Sequence, residues 1–376
     1  YRQVLQDRYG DPFALHALGV RAYQEGRNDI AAHLIGRAIS LNGQMPDFHY
    51  NLAIVLNAQG KPEDAATSLN RALSLNPDYA EAHNNLGNIL KARGRDEEAI
   101  ACFQRALGLK PGLAVTHYNL GSLFFEQGKN ELAMKHFHSC LEIDPDDAHG
   151  VRLLLAHMGF AATPKRASQA HLENLYGRRS RFWDREKKYR GHELVARQVR
   201  KLAAPSKSEI LDAGCGTGLV GELLRDLASR LDGVDLSEPM LKSSARKNIY
   251  DNLYKDDLVS FMTGKAGHYD IVASAATIIH TGDLTQVFQA AALALRDTGL
   301  FVFTLFSNDG DEDFRVAGNP DLAKGGCYVH RSGYLVRLAL AHGFTVEALD
   351  REIHEHDQHD VPVAGLVVGL RRASRL

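Results

Sequence analysis

The sequence predicts two architectures in series. An α-helical solenoid fills roughly the first 150 residues, and an open, doubly wound α/β domain with a mostly parallel sheet follows it. Three observations predict this. Small residues recur with a fixed 34-residue period through the first part of the chain. The run Ile210-Leu211-Asp212-Ala213-Gly214-Cys215-Gly216-Thr217-Gly218 is apolar, ends in an acid and opens into a glycine-rich turn. An amphipathic segment, Leu219 to Arg230, follows at once, so the order is strand, tight loop, helix.

Composition narrows the function classes first. The 376 residues carry 44 basic and 46 acidic side chains, a formal charge of −2, so no broad field attracts nucleic acid or a membrane surface. No apolar run reaches the roughly 18–20 residues of a membrane span. Cys102, Cys140, Cys215 and Cys327 are scattered without a C-x-x-C pair, which favours a reducing, cytoplasmic setting and argues against a zinc cluster. The opening Tyr1-Arg2-Gln3 lacks an initiator Met and a signal h-region, and reads as a trimmed N-terminus.

The repeats come first in the chain. Ala31, Ala65, Ala99 and Ala133 are 34 residues apart, as are Ala38, Ala72, Ala106 and Cys140. Leu18-Gly19, Leu52-Ala53, Leu86-Gly87 and Leu120-Gly121 keep the same step, and so do Pro77, Pro111 and Pro145, with Gly43 in the first slot. This is the spacing of the tetratricopeptide repeat, two helices per unit, with a proline stopping the second. Four units span about residues 12–147, and Val151 to Met158 reads as a closing helix, which sets a first domain of 1–160.

Asn51, Asn85 and Asn119 share one slot on the first helix of repeats two to four. The words His49-Tyr50-Asn51-Leu52, His83-Asn84-Asn85-Leu86 and His117-Tyr118-Asn119-Leu120 resemble the repeats of O-linked N-acetylglucosamine transferase, where an asparagine ladder clamps the backbone of an extended polypeptide. A primary amide both donates and accepts, so it suits a peptide N–H and C=O together. The resemblance implies a protein or peptide partner on the concave face of the arm. The alternative reading is a polar scaffold used for docking or homo-oligomerisation.

Residues 161–200 read as a connection. Ala161 to Ser168 has linker composition. The basic stretch from Arg178 to Arg190 reads as a solvated helix face rather than a nucleic-acid site, interrupted by Phe182-Trp183-Asp184.

The third segment, 201–376, carries the chemistry. Glycines let a backbone approach a ligand closely, and a helix N-terminus offers its N–H groups to a polar one. Asp235 closes the next apolar segment about twenty residues on, the distance of an acid that holds ribose hydroxyls. Asp-x-Gly-x-Gly-x-Gly, together with Val234-Asp235-Leu236-Ser237-Glu238-Pro239-Met240-Leu241, resembles class I S-adenosylmethionine (SAM) methyltransferases rather than a dinucleotide fold.

That resemblance implies a Rossmann-like, seven-stranded, mostly parallel sheet and a SAM site. The site would be made by Asp212, Gly214, Cys215, Gly216, Thr217, Gly218, Asp235, Leu236 and Met240, with Asp257 (or Asp256) at the adenine. Ser274 ends the fourth strand beside the cofactor, and Trp183 belongs to an N-terminal lid, with Tyr189 near it. The words Tyr269 to Leu284, Lys324 to His330 with Tyr334, and Val361 to Leu366 extend the resemblance to bacterial repeat-containing methyltransferases and to the Williams–Beuren-region methyltransferase.

The chain departs from the resembled pattern where acceptor chemistry belongs. Ala276 replaces an Asp, His280 a Tyr, and Phe306 a Glu. The candidate catalytic residues are His280, after the fourth strand, and His330 and Tyr328, after the fifth. Tyr334 is assigned to acceptor binding. His354, His356 and His359 read as a solvated loop, with no metal site. Three functions stay open: methylation of a protein or peptide on O or N, methylation of a small molecule with the repeats used for docking, and SAM binding without transfer.

Overall fold

The structure is a computed structural model and describes residues 10–180, 183–185, 188–319, 322–323, 325–357 and 360–374. Phe182, Lys324, His359 and the opening Tyr1-Arg2-Gln3 lie outside the described residues. The chain divides into two compact units, Tyr1–Pro145 and Asp146–Leu376.

Among the described residues the first unit holds four helix pairs. They are α1 (Pro12–Gln24) with α2 (Asn28–Leu41), α3 (Pro46–Ala58) with α4 (Pro62–Leu75), α5 (Ala80–Lys91) with α6 (Asp96–Leu109), and α7 (Ala114–Glu126) with α8 (Asn130–Ile143). The periodic alanines are the close-contact positions: Ala31, Ala65, Ala99 and Ala133 are all 0% exposed. The periodic Leu-Gly glycines have the same cause. A Cβ on Gly87 would lie 2.7 Å from the Phe103 ring, and one on Gly121 2.8 Å from the Phe137 ring. Each pair turns through a left-handed glycine, Gly26, Gly60, Gly94 or Gly128, with φ between 68° and 79°.

The second unit starts with α9 (Val151–His157). The sequence pattern predicts this helix as a cap on the repeats. Leu153 of this helix packs with Ala167, Leu172, Val316, Ala323 and Tyr328 inside the second unit. Contacts along the chain divide the two units at Pro145.

Then come α10 (Gln169–Arg179), α11 (Gly191–Leu202) and an open sheet. The strands are β1 (Ser208–Ala213), β2 (Ala228–Asp235), β3 (Asn252–Lys255), β4 (Tyr269–Ser274), β5 (Leu295–Ser307), β6 (Phe314–Val316), β7 (Tyr328–His330), β8 (Phe344–His356) and β9 (Pro362–Arg372). The order is β3-β2-β1-β4-β5-β7-β6, with β9 antiparallel to β5 and β8 antiparallel to β9.

The central strands are parallel and apolar on both faces, as a sheet covered on both sides requires. Ile210, Ile271, Leu300 and Val302 pack on Val195 and Val199 of α11 and on Val220 and Leu224 of α12 (Leu219–Leu224). Leu211, Val272 and Phe301 turn the other way. That face is covered by α14 (Leu258–Thr263), α15 (Thr285–Ala294) and α16 (Ser332–Ala341); α13 (Glu238–Ala245) follows β2.

Two expectations are corrected here. Among the described residues the sheet has nine strands, because β6 and β7 form an extra antiparallel pair and Val329 joins Phe306 at the end of β5. The helix expected through Arg230 ends at Leu224, because residues from Ala228 onward pair with β1.

Candidate active site

The carboxyl ends of β1, β2 and β4 surround a cleft of about 450 Å³. Ligands bind at this edge of doubly wound sheets. The loop after β1 is held open by its backbone. Gly214, Gly216 and Gly218 have φ of 81°, 54° and 95°, a region that disfavours any side chain. At Gly214 a Cβ would also lie 2.0 Å from Thr277 Oγ1 of the loop after β4. The Gly214 and Cys215 N–H groups donate to Val234 O at 2.8 and 3.0 Å, which ties the loop to β2.

Asp235 ends β2 and faces this loop. Its Oδ2 accepts from Gly216 N–H at 2.9 Å, and its Oδ1 from Ser237 N–H at 2.8 Å. Burial raises its pKa, and these two donors oppose the rise. Each carboxylate oxygen still has a lone pair for a ligand hydroxyl. Asp257 caps α14 through Val259 N–H and Ser260 N–H, and its other oxygen meets Arg166 Nη2 at 3.0 Å.

Arg166 belongs to the expected linker. That segment is not loose. Ala167 N–H donates to His280 O, and Lys165 O accepts from Gly282 N–H and Asp283 N–H, so it lies as a strap along the loop after β4.

Of the expected cofactor residues, Gly214, Cys215, Gly216, Thr217, Asp235, Leu236, Met240, Asp257 and Trp183 line the cleft. Three do not. Asp212 turns into the interior, where its Oδ2 accepts the Tyr250 hydroxyl at 2.6 Å and its pKa is pushed up by burial to about 7. Ser274 is fully buried and donates to Ala213 O at 2.7 Å, linking β4 to β1. Gly218 sits at the start of α12, against Tyr250 and Ser244.

Sequence reasoning missed the buttress of this loop. Thr217 donates its hydroxyl to Asp184, and Lys247 Nζ lies 3.1 Å from the same carboxylate. The Asp beside Trp183 was the available signal.

A second cleft of about 760 Å³ shares Tyr176, Trp183, Tyr189, Ala276 and His280 with the first. Tyr176 of α10 was not anticipated. Its ring meets Trp183 edge-on at 5.8 Å, and Trp183 lies 5.3 Å from Tyr189, so three aromatics form the common wall. Ala276 adopts φ 55°, a strained left-handed conformation for a residue with a Cβ, and presents backbone where the two clefts meet.

The candidate catalytic residues divide here. His280 reaches both clefts, but both its nitrogens are engaged. Nδ1 donates to Gly326 O (3.1 Å) and Nε2 accepts the Tyr176 hydroxyl (2.5 Å), while burial pushes its pKa down to about 4. His330, Tyr328 and Tyr334 line neither cleft. His330 Nε2 donates to Thr281 O and Gly282 O, Tyr328 donates to Pro164 O, and the Tyr334 hydroxyl accepts Leu284 N–H. All three serve otherwise unmatched backbone groups around the loop after β4.

His354 and His356 are not in a solvated loop. They end β8, and His354 is 0% exposed. Among the described residues no group of three or more His, Cys, Asp or Glu could hold a metal, and no helix is long and apolar enough to cross a membrane.

In the first unit the asparagine slots face neighbouring repeats. Asn51 Nδ2 lies 2.9 Å from His16 Nε2, Asn85 Nδ2 donates to the Tyr50 hydroxyl at 3.2 Å, and Asn119 Nδ2 donates to Asn84 Oδ1 at 3.0 Å.

Residues 183–349 match the methyltransferase-domain family. Residues 16–73, 58–114 and 114–147 match tetratricopeptide-repeat families. The chain is 26% identical over 160 residues to the ubiquinone biosynthesis O-methyltransferase of Bordetella avium, covering 40% of this chain and 66% of that protein. It is 30% identical over 128 residues to the malonyl-acyl-carrier protein O-methyltransferase of Bacillus anthracis, covering 33% of this chain and 46% of that one. The chain thus spans at most about two thirds of these relatives. A solved S-adenosylmethionine-dependent methyltransferase from Mesorhizobium loti is similar with a TM-score of 0.39 and 20% identity, over 48% of this chain and 100% of that one.

Proposed function

We propose that this chain transfers a methyl group from SAM to a small acceptor seated in the second cleft, and that the repeat arm docks the enzyme to a protein partner. The premise is plain: the chain joins tetratricopeptide repeats to a SAM-dependent methyltransferase domain, and its cofactor is S-adenosylmethionine.

The residues present fit that cofactor. The cleft volume lies within the range of small-ligand sites. Gly214 and Gly216 clear backbone for close approach, Asp235 offers carboxylate oxygens to the ribose, and Asp256 and Asp257 close the adenine end. When bound, SAM supplies an already activated methyl group. The protein must hold an acceptor in line with it and keep water away. Trp183, Tyr176 and Tyr189 supply the apolar wall for that task.

The observation that carries this reading is the second cleft, which shares five residues with the first. The relatives' names, ubiquinone biosynthesis and malonyl-acyl-carrier protein O-methyltransferase, support an oxygen acceptor on a small or carrier-borne molecule. The test is incubation of the full chain with methyl-labelled SAM and a bacterial extract, then separation of protein from small molecules. Label in the small-molecule fraction is expected. Label confined to protein moves the acceptor to a polypeptide brought by the arm. No transferred label overturns the reading.

A further inference from the structure

We propose that Glu355 is the general base of the acceptor cleft and that the buried His354 is its positioning residue. This rests on the methyl-transfer reading above and names the class of acceptor that reading leaves open: one with an O–H or N–H at the reacting atom.

The local backbone is built for this. On β8, Ile353 pairs with Ala364 and Glu355 with Val363, so His354 is the extra residue of a bulge. Bulges re-aim side chains and occur beside active sites. Here His354 turns fully inward, and Glu355, with a side chain 25% exposed, lines the second cleft. The space for the imidazole is cleared by two glycines. A Cβ on Gly191 would lie 2.7 Å from His354 Nε2, and one on Gly365 2.7 Å from its Cβ. The Phe306 and Tyr189 rings meet the imidazole edge-on at 4.9 and 5.5 Å.

The hydrogen bonds run in one direction. Ala276 N–H donates to Thr304 Oγ1 at 3.3 Å, so the Thr304 hydroxyl proton is left for His354 Nε2 at 3.0 Å. The imidazole proton then resides on Nδ1. That nitrogen is buried without a hydrogen-bond partner and lies 3.5 Å from Glu355 Oε2. A chain of polar groups thus runs from Ala276, where the clefts meet, to the carboxylate in the acceptor cleft. The negative charge of Glu355 also acts on the hydroxyls of Tyr176 and Tyr189, which line both clefts. His280 cannot compete, because Tyr176 already occupies its Nε2.

In the step itself the acceptor lone pair bonds to the methyl carbon. The carbon–sulfur bond breaks with its electron pair going to sulfur. The acceptor proton passes to the Glu355 carboxylate, and no other reactant is needed. Positioned bases of this kind contribute about 10²–10⁴-fold.

The experiment uses the full chain, methyl-labelled SAM and a small-molecule bacterial extract, with SAM affinity measured by calorimetry. Glu355→Gln should lower label transfer about 100-fold or more with SAM affinity within twofold of wild type, and Glu355→Asp should restore part of it. His354→Phe should lower transfer about tenfold, and it should have no further effect in a Glu355→Gln background, because the two act as one unit. Transfer by Glu355→Gln within threefold of wild type overturns the proposal, as does an undiminished His354→Phe effect in that background. A wild-type chain that binds SAM but transfers no label overturns the methyl-transfer reading itself, and this assignment with it.

Discussion

The Tyr176 hydroxyl lies 2.5 Å from His280 Nε2, and Gly326 O takes the proton on Nδ1. The pair fixes the tautomer of a 4%-exposed imidazole and closes the wall between the two clefts. A histidine so held is a strut rather than a base. Its lone pair already accepts a hydroxyl proton, and burial has pushed its pKa down to about 4.

That depression makes an acid-sensitivity prediction. His280 binds a proton near pH 6.5 when unfolded and only near pH 4 when folded, so stability is lost as pH falls from about 6.5 toward 4. Between pH 7 and pH 5 the loss from this group alone is roughly 2 kcal/mol. His280→Phe removes the group. The variant should start with a lower melting temperature and lose less of it between pH 7 and pH 5 than wild type does. Parallel melts check this, and equal slopes for the two proteins refute it.

Asp212 carries the opposite sign. Its pKa is raised by burial to about 7, so the folded protein favours the neutral acid, and stability falls as pH rises from about 4 to about 7. Its Oδ1 has no hydrogen-bond partner among the described residues. Asp212→Asn keeps the shape and an acceptor for the Tyr250 hydroxyl while removing the buried charge. The expected gain is about 1–3 kcal/mol above pH 7, shrinking toward zero near pH 4. SAM affinity should hardly change, because Asp212 does not line the first cleft, the proposed cofactor site. Chemical denaturation at pH 8 and pH 4.5 reads the difference.

The glycine loop gives a comparison between two positions that look alike in sequence. Both Gly214 and Gly216 have positive φ, yet a Cβ at Gly214 strikes Thr277, whereas one at Gly216 meets no atom within 4 Å. Gly216→Ala should cost about 1–2 kcal/mol, the strain of a left-handed residue. Gly214→Ala adds a clash with the Thr277 side chain, between the loops after β1 and β4. It should lower the melting temperature further and abolish measurable SAM binding. Calorimetric titration of both variants against wild type decides, and similar behaviour of the two would mean that the loops part without penalty.

What could be read from sequence follows from how directly each residue's job depends on its identity. The 34-residue period and the glycine loop were legible because close helix contact admits only small residues, and a left-handed turn favours glycine. Asp235 was legible because it ends the apolar segment that follows the glycine loop, and Trp183 because the Trp183-Asp184 step resembles a lid word of the family. His330, Tyr328 and Tyr334 looked chemical, but their polar atoms serve the backbone of the loop after β4 and of the strap beside it at Pro164, and a family word does not say which way a side chain points. Tyr176 arrives from a helix some forty residues before the loop, by tertiary packing alone. Glu355 was hidden by the bulge at His354, because a one-residue shift in pairing decides which side chain meets the cleft.

The asparagines of the arm yield the last prediction. Asn51, Asn85 and Asn119 each direct Nδ2 to a side chain 35 residues earlier: His16, Tyr50 and Asn84. Those three partners are themselves in register, 34 residues apart, so the contacts form a ladder between successive repeats. Thr116 also donates to Asn84 Oδ1 at 3.0 Å, in a buried setting, so the last rung is the most enclosed. In a linear array stability is carried by such interfaces between neighbours. Losing one part-buried hydrogen bond costs about 0.5–1.5 kcal/mol, and more where a buried partner is left unmatched. Asn119→Ala, which strips one of two donors from Asn84, should therefore increase amide exchange in α5 and α7 more than Asn51→Ala does in α1 and α3. Hydrogen exchange on the intact chain, resolved by peptide, measures this, with label transfer followed in parallel. If the asparagines instead act only as a clamp on a bound polypeptide, the variants will leave exchange in the unbound arm unchanged and lower only label transfer to protein.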